Sequence, residues 1–536
     1  MPSAPPIAQR WLTAILILGA GLRFFPIWFG LTYPYSRPDE TEAVGHALAM
    51  LGGDLNPHFF HWPSLTFYLF AAVFAVLSGI RKILLDDPAL TRDVAVLTGR
   101  LIVAAAGTLT IVPAYRLAMR VCDWRAGLAA AFFLAVAVLH VRDSHFAMTD
   151  VLMTLFVTLA LARLASAFDA ASDEGSGRAP VVGGFAVAGL LAGLATSTKY
   201  NAAAVAVSMA VAQALLLARS RKGLWSPRAW MPLIAFTAAA AAGFLLGTPY
   251  SILDAAKFME DLRYDLTHLS EPHGIDVGSG WYAHLTRSLP YGCGFLIFAA
   301  AVAGMGVALR RAPRHGLVLV AFVLAFLGVL GSGRTVFFRY VMPLVPMACV
   351  FAAFTAASLG DVAARWRRAG AAATGLPTLA VVLVIGAPSL ISSAWMDLLL
   401  ARTDSRIIAG QWLRGQLKPD NSVYDAGGTY VRLDLHSADY HAWVYDPGTG
   451  SFGDPEGRTP HWLVISESPL RLYAQAEPSL QRLAAERYSP VLVVPGTRSL
   501  DTAAVYDRQD AFFLPFSRFR EVERPGPTIT IYRRNE

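Results

Sequence analysis

Runs of apolar residues long enough to cross a lipid bilayer recur through most of this chain, and they constrain its fold more than any other feature. A helix rises about 1.5 Å per residue, so the roughly 30 Å hydrocarbon core of a bilayer requires about 20 apolar residues. Such runs lie near residues 11–30, 100–120, 126–141, 150–168, 181–198, 200–218, 229–247, 289–309, 315–332, 340–360 and 372–394. We therefore predict an all-α polytopic membrane protein with about eleven transmembrane helices.

The composition excludes an ordinary soluble globular protein. Only 15% of the 536 residues are charged, whereas soluble domains carry roughly 25% charged residues. The first apolar run is too long for the core of a signal peptide and is interpreted as a retained span. The net charge of +7 lies in short connections, which indicates membrane topology and argues against nucleic acid as a partner. The three cysteines have no neighbour at metal-ligand spacing, so we interpret them as small buried residues.

Basic residues cluster in alternate connections between the apolar runs, which gives the chain an orientation. The clusters are Arg116, Arg120 and Arg125; Arg219, Arg221, Lys222 and Arg228; Arg310, Arg311 and Arg314; and Arg365, Arg367 and Arg368. The positive-inside rule places these connections in the cytoplasm. Asp39, Asp150, Lys199, Arg339 and the polar connection 248–287 are then predicted to share the opposite, outer face.

Three segments between the predicted spans have features of their own. Residues 62–80 are apolar enough to span, but a crossing there would reverse the orientation of everything that follows. We therefore predict an interfacial or re-entrant helix within an outer loop over residues 31–99. The connection 248–287 contains three histidines, and connections of this length are usually functional or disordered. Residues 170–179 are predicted to form a flexible cytoplasmic loop.

The pattern changes after about residue 395. A helix is predicted to open at Thr403-Asp404-Ser405-Arg406, and short strand candidates lie near residues 422–424, 461–466, 490–494 and 528–532. A helical stretch near residues 470–486 separates two of these strands. Alternating strands and helices predict a small α/β domain. We expect a transmembrane domain over residues 1–395 and an extracytoplasmic domain over residues 396–536.

An acidic pair, Asp39-Glu40, follows the first apolar run directly. Two adjacent carboxylates at the membrane boundary are costly unless they are solvated, paired or bound to metal. Because Pro38 cannot continue the first helix, we predict that the pair lies in a turn and not on a helix. Two interpretations stay open at this point: a solvated acid pair in a loop, or a catalytic base that removes a proton from an acceptor hydroxyl.

Other polar residues at the predicted outer face also allow two interpretations each. Asp150 could offset a helix dipole or hold a metal or donor, and His145 could support it. Lys199 could extend to the interface or bind a lipid phosphate. Arg339 could anchor to headgroups or grip a phosphate and stabilise a leaving group. His61, like its neighbour His58, could be an interfacial anchor or a metal ligand.

The order of these elements resembles the GT-C integral-membrane glycosyltransferases. The acidic pair Asp39-Glu40 is followed by His61-Trp62-Pro63-Ser64-Leu65, then by Asp150, Thr198-Lys199 and Arg339-Tyr340-x-x-Pro343. The resemblance covers about residues 10–400 and is strongest to the branch of protein O-mannosyltransferases and lipid A aminoarabinose transferases, glycosyltransferase family 39. The tetrapeptide His61-Trp62-Pro63-Ser64 departs from the double proline that is usual in this branch.

This resemblance implies an inverting transfer of one sugar from a polyprenyl-phosphate carrier to an acceptor hydroxyl. Asp39 would be the general base supported by Glu40, and Lys199, Arg339 and Tyr340 would bind the donor phosphate. Asp150, His61 and His145 would support the substrate or a divalent metal ion, whose use differs among relatives. The acceptor would be a glycolipid, a polysaccharide or a protein, and the reaction would take place on the periplasmic side of the inner membrane.

Two other classes of protein compete with an enzyme. A transporter or lipid flippase predicts charged or glycine-broken segments near the bilayer midplane and inverted repeats, and neither is apparent in the sequence. A non-catalytic scaffold for the C-terminal domain would leave the positions of the acid, lysine and arginine residues unexplained as a group. The sequence therefore favours a glycosyltransferase.

Overall fold

The computed structural model describes residues 5–173, 178–219, 225–366, 375–418, 421–435, 441–453 and 458–535. The centre of the predicted loop 170–179 lies outside these ranges, as do Arg221, Lys222, Arg367 and Arg368. The chain divides into two compact units. One comprises Met1–Ile27 and Glu42–Ala394, and the other comprises Trp28–Thr41 and Trp395–Glu536. The second unit therefore contains a segment from the first predicted loop as well as the C-terminal part.

Helices make up most of the described chain before residue 400. They are α1 (Pro6–Phe24), α2 (Pro38–Ala49), α3 (Leu65–Leu85), α4 (Arg92–Val121), α5 (Trp124–Val136), α6 (Val138–Asp143), α7 (Thr149–Ser172), α8 (Arg178–Thr196), α9 (Val205–Arg219), α10 (Met231–Gly247), α11 (Tyr250–Leu253), α12 (Ala255–His268), α13 (Gly280–Ala283), α14 (Leu289–Cys293), α15 (Phe295–Arg311), α16 (Pro313–Gly331), α17 (Leu344–Trp366) and α18 (Gly375–Leu400). Short 3₁₀ turns over Tyr200–Ala204 and Phe338–Val341 precede α9 and α17.

Ten helices in the described ranges are long and apolar enough to cross a membrane, or eleven if one bent pair counts as a single span. That pair is Gly280–Cys293 with Phe295–Arg311, which meet at an angle of 113°. The predicted class, a polytopic helical membrane protein with about eleven spans, is confirmed. The predicted span over residues 289–309 is bent, because Gly294 (φ 96°) separates its two halves.

The structure adds detail to two predicted segments. Most of the segment 62–80 lies in α3, one uninterrupted helix of 21 residues with the length and composition of a span, and its interfacial or re-entrant placement stays a prediction. The predicted span over residues 126–141 is interrupted: the 13-residue helix α5 ends at Val136, and α6 continues to Asp143. Residue Ala137 has extended backbone and separates α5 from α6.

A buried arginine explains why α5 ends where it does. The Arg23 guanidinium donates to the Leu134 carbonyl at 2.8 Å and to the Ala135 carbonyl at 3.0 Å. Carbonyls in the last turn of a helix have no partner within the helix and require one from elsewhere. Arg23, on α1, supplies that partner and also contacts Nδ1 of His140 at 3.0 Å.

Helices α8 and α10 approach each other through glycine. A Cβ atom at Gly189 would lie 2.1 Å from the Phe236 carbonyl oxygen, and one at Gly193 would lie 2.0 Å from the Ala240 carbonyl oxygen. Only a residue without a side chain permits such a close approach of two backbones in a membrane bundle. This contact fixes the end of α8, three residues before Lys199.

The second unit contains a mixed sheet, as the sequence predicts for the C-terminal part. Its strands are β1 (Ser422–Asp425), β2 (His441–Ala442), β5 (Trp462–Glu467), β6 (Tyr488–Val494) and β7 (Thr528–Arg534), in the order β2-β1-β5-β7-β6. Strands β3 (Tyr445–Asp446) and β4 (Ser451–Phe452) form a separate hairpin. Strand β1 pairs in parallel with β2 and β5, whereas β7 is antiparallel to both of its neighbours.

Two helices cover the sheet. Helix α19 (Ser405–Arg414) is capped by Asp404, whose carboxylate accepts the Arg406 amide N–H at 2.9 Å, and it packs on a cluster that includes Val464. Helix α20 (Pro478–Arg487) packs on a second cluster that includes the neighbouring residue Ile465. Successive strand residues face opposite sides, so the two sides of β5 bury apolar residues in separate cores.

Candidate functional site

Lys199 and Asp150 form a buried ion pair in the first unit. The Lys199 Nζ atom lies 2.6 Å from Oδ1 of Asp150, and the two side chains are 16% and 2% exposed. Asp150 stands in the first turn of α7, where a carboxylate also offsets the helix dipole. Lys199 precedes the 3₁₀ turn that leads into α9. The pair joins two corners of the bundle that the sequence separates by 49 residues.

The corner around Lys199 is fixed by hydrogen bonds to other connections. Ser197 and Thr248 join their hydroxyls at 2.6 Å, and the Ser197 carbonyl accepts the Leu65 amide N–H at 3.0 Å. The Tyr200 hydroxyl donates to the Phe60 carbonyl at 2.7 Å. The start of α3 and the end of α10 are therefore tied to the residues that flank Lys199.

The predicted phosphate-binding residues Arg339 and Tyr340 lie beside this corner. The Lys199 Nζ atom is 4.5 Å from the centroid of the Tyr340 ring. The Arg339 guanidinium is 4.1 Å from the Phe337 ring centroid and 6.0 Å from that of Tyr340. Stacking of this kind orients a guanidinium and leaves its edge N–H groups to bind an oxyanion. The structure thus brings together Lys199, Asp150, Arg339 and Tyr340.

The predicted polar connection 248–287 supports the segment that carries Arg339. The Thr335 hydroxyl contacts the carbonyls of His268 at 2.9 Å and Glu271 at 2.7 Å. The Arg334 amide N–H donates to the Leu269 carbonyl at 2.9 Å. Most of this connection is helical, because α12 occupies its first half. The C-terminal end of α12 and the residues that follow it therefore support the segment that leads into the turn Phe338–Val341.

His61 contacts α12 through two aspartates that the sequence analysis did not identify. Its Nδ1 atom lies 3.0 Å from Asp265, and its Nε2 atom lies 3.8 Å from Asp261. Burial raises the pKa of Asp265 above its ordinary value. Burial opposes the charge of Asp261 as well, but hydrogen bonds from Lys257 and the Phe60 amide hold its pKa below the ordinary value. The sequence could have indicated these two aspartates, because Lys257, Asp261 and Asp265 are spaced four residues apart and therefore lie on one face of a helix.

The prediction that Asp39 and Glu40 lie in a turn is wrong. Helix α2 begins at Pro38, and both carboxylates stand in its first turn. Proline is favoured at the first position of a helix, since its missing N–H would have no partner there. Acidic residues in the first turn are stabilised by the helix dipole. Glu40 is fully buried, and Asp39 is partly exposed.

The segment before α2 is held within the second unit. The Arg37 guanidinium donates to the Asp510 carboxylate, and both side chains are buried. The same guanidinium lies 5.7 Å from the Phe512 ring centroid. The Tyr33 hydroxyl donates to the Arg432 carbonyl at 2.8 Å. Residues of the C-terminal part therefore fix the backbone that leads into Asp39, a role that no local sequence pattern indicated.

The remaining predicted site residue, His145, is an internal anchor. Its Nδ1 atom lies 3.0 Å from the Val141 carbonyl oxygen, and its Nε2 atom lies 2.9 Å from the Phe25 carbonyl oxygen. Both ring nitrogens are thus in contact with the backbone of neighbouring segments. Asp39 and Glu40 belong to the second unit, whereas Asp150, Lys199 and Arg339 belong to the first, so a common pocket for all five stays a prediction.

The residues suggested as metal ligands do not fit a metal centre. Across the described ranges, no group of three or more His, Cys, Asp or Glu residues is arranged to hold an ion. Asp150 is bound to Lys199, and both nitrogens of His145 contact backbone carbonyls. We therefore derive no step through a metal.

Comparison with known families and curated proteins gives one match. Residues 90–246 match the family model described as dolichyl-phosphate-mannose-protein mannosyltransferase. This segment includes α4 to α9 and all but the last residue of α10, and it contains both Asp150 and Lys199. Comparison with curated proteins finds no match by sequence.

Comparison with solved structures gives similar folds. ArnT from Cupriavidus metallidurans in the apo state is similar over 98% of both chains, with 16% identity and a TM-score of 0.53. The same protein bound to undecaprenyl phosphate is similar over 98% of this chain and 97% of its own, with 15% identity and a TM-score of 0.51. The apo oligosaccharyltransferase from Archaeoglobus fulgidus has 15% identity and a TM-score of 0.49 over 76% of this chain. This chain spans only 58% of the length of that oligosaccharyltransferase.

Proposed function

We propose that this chain is a glycosyltransferase of the GT-C superfamily and that it moves one sugar from a polyprenyl-phosphate carrier to an acceptor hydroxyl. The observation that carries the proposal is the convergence of Lys199, Arg339 and Tyr340 in a chain with the fold of ArnT. ArnT has been seen bound to undecaprenyl phosphate, which supports a lipid-linked donor for this chain.

The donor phosphate would be bound by the two cations of the first unit. Lys199 provides a point charge, and Arg339 provides a planar fork of N–H groups that matches two phosphate oxygens. When the sugar leaves, negative charge grows on the phosphate, and fixed cations at that position lower the barrier. Asp150 would act as a positioning residue, because its contact with Lys199 holds the ammonium beside Tyr340.

The acceptor would be activated by Asp39. Its carboxylate takes the proton of the acceptor hydroxyl while the acceptor oxygen forms a bond to the anomeric carbon. The bond between the anomeric carbon and the phosphate oxygen breaks at the same time, and polyprenyl phosphate leaves with the electron pair. Attack from the side opposite to the leaving group inverts the anomeric configuration. Glu40, the next residue in the chain, is buried and would hold Asp39 in position.

We further propose that the reaction takes place at the periplasmic face of the inner membrane. The arginine-rich connections support this orientation through the positive-inside rule. The acceptor would be a glycolipid, a polysaccharide or a protein, since a hydroxyl is all that the proposed chemistry requires.

A transfer assay in proteoliposomes tests the proposal. Purified protein is supplied with polyprenyl-phosphate sugars labelled in the sugar and with extracted envelope lipids, polysaccharides or proteins as acceptors. We expect the label to move to an acceptor and unlabelled polyprenyl phosphate to accumulate. The double variant Lys199→Met/Arg339→Gln should abolish both signals. Movement of intact labelled lipid between leaflets, with no cleavage of the sugar–phosphate bond, would contradict the proposal and favour a flippase.

A further inference from the structure

A cavity of about 430 Å³ lies in the second unit beside the first residues of β5 and the last residues of β7. Its walls include Lys418, Asn421, His461, Trp462, Arg533 and Arg534. Pockets that bind small molecules commonly have volumes of roughly 300–1,000 Å³. The cavity therefore has the size of a ligand site, and none of the roles proposed above uses its residues.

Three of the described residues that line the cavity are positively charged. Lys418, Arg533 and Arg534 all line it, and none of its described lining residues is acidic. Within the described ranges, neither Lys418 nor Arg533 forms an ion pair with a carboxylate. Both are exposed. A concave surface lined by three cations attracts an anion and raises its local concentration.

The polar groups of the cavity are mainly donors. Nδ1 of His461 accepts the Ser422 amide N–H at 3.1 Å, so the proton of the neutral ring is on Nε2. The Asn421 side-chain oxygen accepts from the Trp462 indole at 3.2 Å and from the Lys418 amide at 3.1 Å. These contacts use the oxygen of the amide and leave its NH₂ group as a donor. Such a wall suits a ligand rich in oxygen acceptors.

The aromatic and guanidinium groups are held in place before any ligand binds. The Arg533 guanidinium lies 6.0 Å from the centroid of the Trp462 ring, and the two residues are paired across β5 and β7. Arg534 donates to the Thr459 carbonyl at 2.5 Å. Trp462 also packs edge-on against Trp412, with ring centroids 6.0 Å apart. Groups fixed in this way lose little conformational entropy when a ligand binds.

We propose that this cavity binds an anionic saccharide, meaning a sugar that carries a phosphate or a carboxylate group. Lys418 and Arg533 bind the anionic group, and the NH₂ group of Asn421 donates to a hydroxyl. The choice of a saccharide over other anions rests on the proposed function, since a glycosyltransferase handles sugars. The existence of an anion site rests only on the cavity and its charges.

Isothermal titration calorimetry on the full-length protein in detergent tests this inference. The probes are glucose 1-phosphate, glucuronate, glucose and inorganic phosphate. We expect the two anionic sugars to bind about tenfold or more tightly than glucose and than inorganic phosphate, with an affinity that falls as NaCl is added. Equal affinity for inorganic phosphate and glucose 1-phosphate would overturn the saccharide assignment. No binding of any probe would overturn the site.

Matched variants locate the binding. Lys418→Met and Arg533→Gln should each weaken glucose 1-phosphate binding about tenfold or more, which is the scale of one charge-assisted hydrogen bond. Arg482→Gln, an exposed arginine on α20 outside the cavity, should leave binding unchanged. Exposed substitutions of this kind alter stability little, and an unchanged melting temperature verifies this. Unchanged binding in both cavity variants would overturn the assignment.

A fourth variant separates this inference from the proposed function. Asp39→Asn should bind glucose 1-phosphate as the wild type does, although its transfer is lost. If transfer depends on Asp39 but no probe binds in the cavity, only the inference is wrong. If the probes bind in the cavity but no labelled sugar is ever transferred, only the proposed function is wrong.

Discussion

The Lys199 ammonium and the Asp150 carboxylate meet at 2.6 Å within the first unit, and the carboxylate is almost completely buried. A buried ion pair is weak support for stability, because the desolvation of both charges offsets their attraction. The proposed binding of the donor phosphate gives Lys199 a functional reason to stand beside Tyr340, where Asp150 holds it.

The first prediction separates a role of Lys199 in donor binding from a role in stability. Lys199→Met should raise the donor KM by about 10- to 100-fold, which is the effect of losing one charged contact to phosphate. It should also lower the melting temperature, because Asp150 loses the cation that pairs with it while it stays buried. The double variant Lys199→Met/Asp150→Asn should recover the melting temperature but not the KM. Lys82→Met, in an exposed Lys–Asp pair, is the control and should change neither. Recovery of transfer in the double variant would mean that the pair is purely structural.

The second prediction concerns the shape of the Arg339 side chain. Arg339→Lys keeps the charge but loses the planar stack on Phe337 and would lose the proposed two-pronged contact with phosphate. We expect a loss in kcat/KM of about tenfold or more from this substitution. Arg334→Lys, at an arginine that is 56% exposed in the same segment, should have a small effect. Full activity of Arg339→Lys would show that only charge matters at this position.

The third prediction concerns the segment that carries Asp39. Asp510→Asn leaves the buried Arg37 guanidinium without its carboxylate, which typically costs about 3–5 kcal/mol. We expect a lower melting temperature and a lower kcat at an unchanged donor KM. The double variant Arg37→Met/Asp510→Leu removes both charges and should recover much of the stability. If Asp510→Asn melts and reacts like the wild type, the pair does not position Asp39.

The helices, the C-terminal sheet and the polar residues near Lys199 could be predicted from local patterns. A charged residue at the end of an apolar helix stands out in the sequence, and Asp150, Lys199 and Arg339 each have that context. The direct contact of Lys199 with Asp150 follows from the bundle geometry, since both residues stand at corners where helices begin.

Features that depend on distant residues could not be predicted. Helix α5 ends because Arg23 binds carbonyls 111 and 112 residues away. The segment before Asp39 is fixed by Asp510, which is 473 residues from Arg37. Pro38 alone does not decide between a turn and a helix at Asp39, since proline both stops a preceding helix and favours the first position of a following one. Only the three-dimensional contacts decide between such outcomes.

The fourth prediction is a pH dependence that arises in the second unit. Burial raises the pKa of Asp425 from 3.8 to about 6, although the amides of Gly427 and Leu433 donate to its carboxylate. Between about pH 4 and pH 6 the folded state then binds more protons than the unfolded state, so stability falls as the pH rises and is constant above that window. The contribution is about 3 kcal/mol across the window.

Thermal unfolding in detergent from pH 4 to pH 7.5 measures this effect. The side chain of the Asp425→Asn variant cannot titrate. Between pH 4 and pH 6 we therefore expect its melting temperature to fall less than that of the wild type. The exposed Asp434→Asn serves as the control and should follow the wild type. Parallel curves for the wild type and Asp425→Asn would refute the assignment.

The most direct test of the account is the transfer rate of Asp39→Asn, measured with a sugar-labelled polyprenyl-phosphate donor in proteoliposomes. The asparagine keeps the shape of the side chain but cannot take the acceptor proton, so we expect transfer to fall by about 10²- to 10⁴-fold with an unchanged donor KM and melting temperature. Glu42→Gln, at an exposed residue of the same helix, should transfer at the wild-type rate. Transfer by Asp39→Asn at a rate close to that of the wild type would contradict the central claim that Asp39 is the general base.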